Sequence, residues 1–228
     1  MDILYDAAQA YSRLIGTKYC IVLGYKRRAI NLILNFYKDN FYHLAGLHNF
    51  KDIDALSARP EAIYKKILSK NITYNDILKS GHFDEKYKIR ILDLIELEKY
   101  LDKGTDFFGW DKRNAIQAKI PTRIKADYLL KNNSLQIGYK NHFVFFAIQV
   151  GRDNECTVVP VDMPTDSVSP ASLFSDQKDY SQCQKRYTLL CKEKIINADQ
   201  NTEERNVLYI ADSYKPMYEA AATKQSFE

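Results

Sequence analysis

Two of the four histidines in this 228-residue chain lie within one short run, Phe41-Tyr42-His43-Leu44-Ala45-Gly46-Leu47-His48. Histidine is the side chain whose ordinary pKa lies nearest neutrality, so a pair of imidazoles suits proton transfer, one taking a proton while the other gives one. On a continuous α-helix His43 and His48 would point about 140° apart and could not act together. Gly46 changes that expectation, because glycine readily takes the left-handed conformation that ends a helix. A helix stopping near Ala45 would turn His48 back towards His43 or towards a neighbouring strand. The aromatic and aliphatic surroundings predict partly enclosed imidazoles, and burial as hydrogen-bonded core residues is the competing reading. The spacing matches neither His-x3-His on one helical face nor a Cys/His knuckle, so neither a metal nor a cofactor is expected.

The elements that must position this run can be read on both sides of it. Ile3, Ala7, Tyr11 and Leu14 recur at helical spacing before Gly16. Tyr19–Leu23 and the alternating run Ala29–Phe36 predict a hairpin whose turn, Gly24-Tyr25-Lys26-Arg27-Arg28, carries a basic cluster. Beyond the histidines, Pro60 fits the first turn of a helix with Ser57 as an upstream cap. Thr73 with Asp76 reads as a capping box, and Asp84 opens a longer helix with a stripe of Ile91, Leu94, Ile95 and Leu101 that stops at Gly104. His82 falls in a turn and reads as structural or simply exposed.

Thr105–Ala126 is ambiguous: Phe107, Phe108 and Trp110 beside Lys112 and Arg113 could stack on unpaired bases or plug a seam between helices and sheet. Asp127–Leu130, Ser134–Tyr139, His142–Val150, Cys156–Val161 and Arg186–Ile196 are β-rich, with Tyr187, Leu189 and Cys191 expected on one face of the last. Val207–Ile210 adds an edge strand, and Met163–Gln184 has the Pro, Ser and Asp content of a long loop. The pattern predicts an α+β chain: N-terminal helix and β-hairpin, a helical insertion at about 57–104, then an antiparallel β-meander. One domain over 1–212 and a flexible C-terminal tail over 213–228 are expected.

Composition narrows the function classes without choosing one. The formal charge of +4 with 17 tyrosines and 11 phenylalanines is compatible with a nucleic-acid partner. Lys112, Arg113, Lys119, Arg123, Lys125, Lys131, Lys140 and Arg152 outnumber the acids between Thr105 and Arg152, enough to track a phosphate backbone. Four cysteines without a CxxC pair read as free thiols. No basic-then-apolar leader and no membrane-length apolar run is visible, so a cytoplasmic protein with no membrane partner is expected.

The run from Asn40 to His48 resembles the FxHLxGLH-type motif of a phage-associated nuclease family of the barnase/EndoU/colicin/RelE-like (BECR) fold. The likeness continues through the first helix and strand and more faintly to about Glu193. It implies a metal-independent endoribonuclease, a toxin or phage effector, that cleaves RNA by attack of the 2′-hydroxyl. On that reading His43 and His48 exchange protons, with Tyr42 and Arg27 as stabilisers. Lys26, Arg28, Lys140 and Arg186 are then substrate-binding cations, RNA is the substrate, and an antitoxin or inhibitor protein is a partner. The alternative is a non-catalytic RNA-binding or protein-interaction module on the same fold, since fold likeness does not fix activity.

Overall fold

The computed structural model describes residues 2–26, 28–104, 106–110, 115–119, 141–148, 165–176, 185–197 and 203–225. Helix α1 (Ile3–Ser12) opens on Asp2, whose carboxylate accepts from the Leu4 and Tyr5 N–H groups. Strands β1 (Lys18–Tyr25) and β2 (Arg28–Asn35) form the expected hairpin, with Tyr25 opposite Arg28. Lys26 sits in its tight turn at φ 45°, the left-handed geometry that matches strand twist in such turns.

Helices α2 (Asn40–Leu44), α3 (Pro60–Leu68), α4 (Tyr74–Leu78), α5 (Glu85–Ile95) and α6 (Leu97–Lys103) follow. The Thr73–Asp76 capping box is present, and Asp84 accepts from the Lys86 N–H. Pro60 starts α3, although Arg59 rather than Ser57 occupies the cap position. The helix expected to run unbroken from Asp84 to Gly104 is interrupted at Glu96.

Strands β3 (Asp106–Trp110), β4 (Ala115–Lys119), β5 (Asn141–Ile148), β6 (Thr165–Asp176), β7 (Lys185–Ile196) and β8 (Glu204–Ile210) complete an eight-stranded sheet. Its order is β1-β2-β6-β5-β4-β3-β7-β8, and β7 pairs again with β1, so the sheet closes on itself. Among the described residues every pairing is antiparallel except β2–β6, which is parallel. The ambiguous stretch after Thr105 thus contributes two strands. The segments 127–130, 134–139 and 156–161 lie outside the described residues.

Three expectations are corrected. Thr165–Asp176 is a strand rather than part of a long loop: Val168 and Leu173 enter the core, and β2 and β5 satisfy its two edges. A register shift in its pairing with β5, next to Pro170, makes room for a residue that has no N–H to donate. In β7, Val22 pairs with Cys191 but Leu23 with Leu189, so Leu190 is bulged and the alternation breaks. Leu189 then joins the helix-side core, Cys191 packs with Val22 and Tyr214 on the other face, and Lys192 reaches the end of α6. Finally, Cys191 is a free buried thiol, but Cys20 is disulfide-bonded. Spacing alone does not reveal which thiols a sheet brings within bonding geometry.

Helices and sheet share one core. Leu4, Tyr11, Phe41, Leu44, Ile63, Tyr64, Ile91 and Leu94 meet Tyr19, Ile21, Leu23, Leu32 and Leu34 there. The Lys192 ammonium, fully buried, donates to the carbonyls of Leu101, Asp102 and Gly104 at 2.6, 2.8 and 2.7 Å and ties α6 to β7. The segment expected to be a tail is helical over α7 (Lys215–Gln225), with Tyr214 buried and the Tyr218 hydroxyl donating to the Glu193 carboxylate. Among the described residues no helix is long and apolar enough to cross a membrane.

Candidate active site

Strand β2 delivers the chain into α2 through a tight entry. The Asn40 side chain accepts from the Tyr37 N–H at 3.0 Å, and the buried Tyr11 hydroxyl donates to the Tyr37 carbonyl at 3.0 Å. Phe41 and Leu44 are fully buried and contact the core, Phe41 against the rings of Tyr11 and Tyr64. At about 100° per residue, this orientation turns Tyr42 and His43 outward. Tyr42 is half-buried and His43 exposed.

The helix ends as the glycine predicts. Ala45 closes it, and Gly46 follows at φ 75°, ψ 15°. A short 3₁₀ turn, Leu47–Asn49, then buries Leu47 and exposes His48. The two imidazole centroids lie 5.1 Å apart at an interplanar angle of 43°. The Tyr42 ring stands 5.4 Å from His43, nearly edge-on, and 6.3 Å from His48. The reading of the pair as packed core residues does not hold: the core takes Phe41, Leu44, Ala45 and Leu47, and both imidazoles face outward.

Asn49 secures the turn. Its Nδ2 donates to the Gly46 carbonyl at 2.9 Å and lies 3.2 Å from His48 Nε2. An amide nitrogen is a donor, so Nε2 is the acceptor in this contact and carries no proton there. Burial, His43 and the Arg90 guanidinium together lower the pKa of His48, against a hydrogen bond to the Tyr42 backbone that raises it. His48 is therefore held towards its neutral form. Burial raises the Tyr42 phenol, whose hydroxyl lies 3.5 Å from the Leu56 carbonyl.

Arg90, on α5, is the member of this neighbourhood that sequence reading missed. It is half-buried, its guanidinium carbon is 6.0 Å from the Tyr87 ring, and its Nη1 lies against Gly46. A Cβ built on Gly46 would stand 3.1 Å from that Nη1 and 2.9 Å from the Tyr87 ring. The signal in the sequence is a basic residue three positions after a buried tyrosine, on the edge of the apolar stripe of a helix 44 residues from Gly46.

Three of the five basic residues predicted for the site lie elsewhere. Lys26 and Arg28 belong to the hairpin tip, at the far end of β2 from α2, about 23 Å along the strand at ~3.3 Å per residue. The backbone of Arg186, opposite Phe108 and two residues before the Thr188–Gly24 pair, is at that same end of the sheet. Arg27 and Lys140 lie outside the described residues. His82 is exposed in its turn, where its N–H donates to Ser80. Among the described residues, no three His, Cys, Asp or Glu side chains are grouped to hold a metal ion.

Comparison with known proteins adds a family to this geometry. No curated protein and no solved structure matches the chain. A family model described as phage-Barnase-EndoU-ColicinE5/D-RelE like nuclease 4 matches residues 3–209, a span that includes the first helix, the hairpin, the histidine turn, Arg90 and the closing strands. With the helix, hairpin, helical insertion and mostly antiparallel sheet all present, the chain belongs to this phage-associated nuclease family.

Proposed function

We propose that the protein is an endoribonuclease that cleaves RNA by attack of the 2′-hydroxyl on the adjacent phosphate, with His48 and His43 as the proton-transfer pair. The observation that carries this reading is the 5.1 Å approach of two outward-facing imidazoles across the Gly46 turn. His48, held towards its neutral form, exchanges the Asn49 contact at Nε2 for the 2′-hydroxyl and takes its proton as that oxygen attacks phosphorus. His43 gives a proton to the departing 5′-oxygen. The products are a 2′,3′-cyclic phosphate and a free 5′-hydroxyl. Each proton transfer is worth about 10²–10⁴-fold in rate, or roughly 3–5.5 kcal/mol of barrier. The half-buried Tyr42 orients the His43 ring from its edge.

Under this reading Lys26, Arg28 and Arg186 hold a stretch of RNA remote from the scissile bond, and Arg27 and Lys140 are further cations for the substrate. The substrate is cytoplasmic RNA, and an inhibitor or antitoxin protein restrains the enzyme before its target is met.

The deciding experiment incubates purified protein with total RNA in EDTA and analyses the ends. Cyclic phosphate termini are expected, and His43→Gln, which keeps size and polarity while losing the proton, abolishes them without shifting the melting temperature. Intact RNA with the unaltered protein leaves the binding-module alternative. Cleavage that survives His43→Gln removes His43 from the chemistry.

A further inference from the structure

A cation that is half-buried normally lies beside a carboxylate, because desolvating an unpaired charge is costly. Arg90 departs from that pattern. It packs against the Tyr87 ring and the Gly46 turn, and among the described residues no hydrogen bond or ion pair occupies its guanidinium. Asp93, three residues further along α5, supports the charge only through space. Five N–H donors in a planar fork thus sit against the Gly46 turn, near enough to His48 to act on its charge, without an internal acceptor. The absence of a side chain at Gly46 is what lets them approach, since a Cβ there would meet Nη1 at 3.1 Å.

We propose that Arg90 is the phosphate-binding residue of this site: its guanidinium, set against Gly46, grips the non-bridging oxygens of a phosphate held over His43 and His48. The ligand class follows from the donor geometry. A planar fork with fixed parallel N–H groups matches the paired oxygens of a phosphate, and the exposed His43 imidazole supplies a further N–H donor to the same tetrahedral group. The assignment rests on the histidine turn being the reactive site and adds a cation to it, since Lys26, Arg28 and the backbone of Arg186 are at the other end of the sheet. In the transition state such a group stabilises charge gathering on the equatorial oxygens.

The test uses the full chain, isotopically labelled, with inorganic phosphate as the probe at constant ionic strength. In the unaltered protein the Arg90 Nε–H resonance and the ring C–H resonances of His43 and His48 move along one binding isotherm. Arg90→Gln weakens phosphate binding roughly ten- to hundredfold, the loss expected for a charge-assisted hydrogen bond. The same substitution raises the titration midpoint of His48, because a neighbouring cation is gone. Arg90→Lys retains the midpoint, while losing part of the affinity.

An Arg90 resonance that stays still while the histidines respond overturns the assignment, and this readout needs no variant to fold. So does a folded Arg90→Gln protein that binds phosphate like the parent. Phosphate coupling Arg90 to both histidines in a protein that leaves RNA intact sustains the anion site and removes the ribonuclease reading. RNA cleavage by Arg90→Gln at the parent kcat/KM does the reverse.

Discussion

At the scale of single residues, the proposed chemistry requires His48 to be neutral when substrate arrives. Burial, His43 and Arg90 lower its pKa, so the acid limb of a kcat/KM profile is expected to have its midpoint below the ordinary histidine value of about 6.5. The same shift sets a sign for stability. His48 binds a proton less readily folded than unfolded, so its contribution to stability is fully present above about pH 6.5 and is lost as pH falls through the lower folded value. Histidine-resolved NMR titration measures the midpoint directly. A His48 midpoint at or above that of a free histidine would remove the reason for naming it the base.

At the scale of elements, the two imidazoles meet because a five-residue helix, a left-handed glycine and a 3₁₀ turn follow one another with buried residues at Phe41, Leu44 and Leu47. Gly46→Ala forces an L side chain to φ 75° against Tyr87 at 2.9 Å. The left-handed conformation alone costs about 1–2 kcal/mol. Both a lower melting temperature and a loss of RNA cleavage are expected, because relief of that clash moves either the turn or Arg90. Leu44→Ala separates stability from chemistry. Its side chain is fully buried, so truncation weakens the fold by about 2–5 kcal/mol, while activity measured well below the melting temperature stays near the parent value. Thermal melts alongside cleavage rates distinguish the two substitutions. A Leu44→Ala enzyme that is as stable as the parent but inactive would show that the site, not the core, depends on Leu44.

At the scale of the whole molecule, the closed sheet separates the histidine turn from the hairpin-end cations along β2. The histidine turn follows its C-terminal end, and Lys26, Arg28 and Arg186 lie at the other end of the sheet. Replacing Lys26 and Arg28 by glutamate is expected to weaken binding of a long RNA and to flatten its salt dependence, by about 0.7 in the log–log slope for each phosphate no longer neutralised. Cleavage of a dinucleotide, too short to reach the hairpin, stays unchanged. Affinity that does not vary with salt in the parent protein would remove the electrostatic basis for this division.

The first helix, the hairpin, the capping box at Thr73 and the helix stop at Gly46 were legible in the sequence because each rests on local chemistry: apolar periodicity, a side-chain cap or a glycine's access to positive φ. The histidine pair was legible for the same reason, since its approach depends on one residue between its members. What tertiary structure decided is everything that depends on distant partners. Thr165–Asp176 looks like a loop by composition, yet two flanking strands satisfy its backbone and bury Val168 and Leu173. The bulge at Leu190 reverses the faces of β7, which no alternation rule anticipates. Arg90 comes near His48 only because α5 packs against the Gly46 turn, and Lys26 and Arg28 are kept from it by the length of a strand. Local conformational preference acts over a few residues and is written in their order, whereas the grouping of charges depends on packing between segments far apart in the chain.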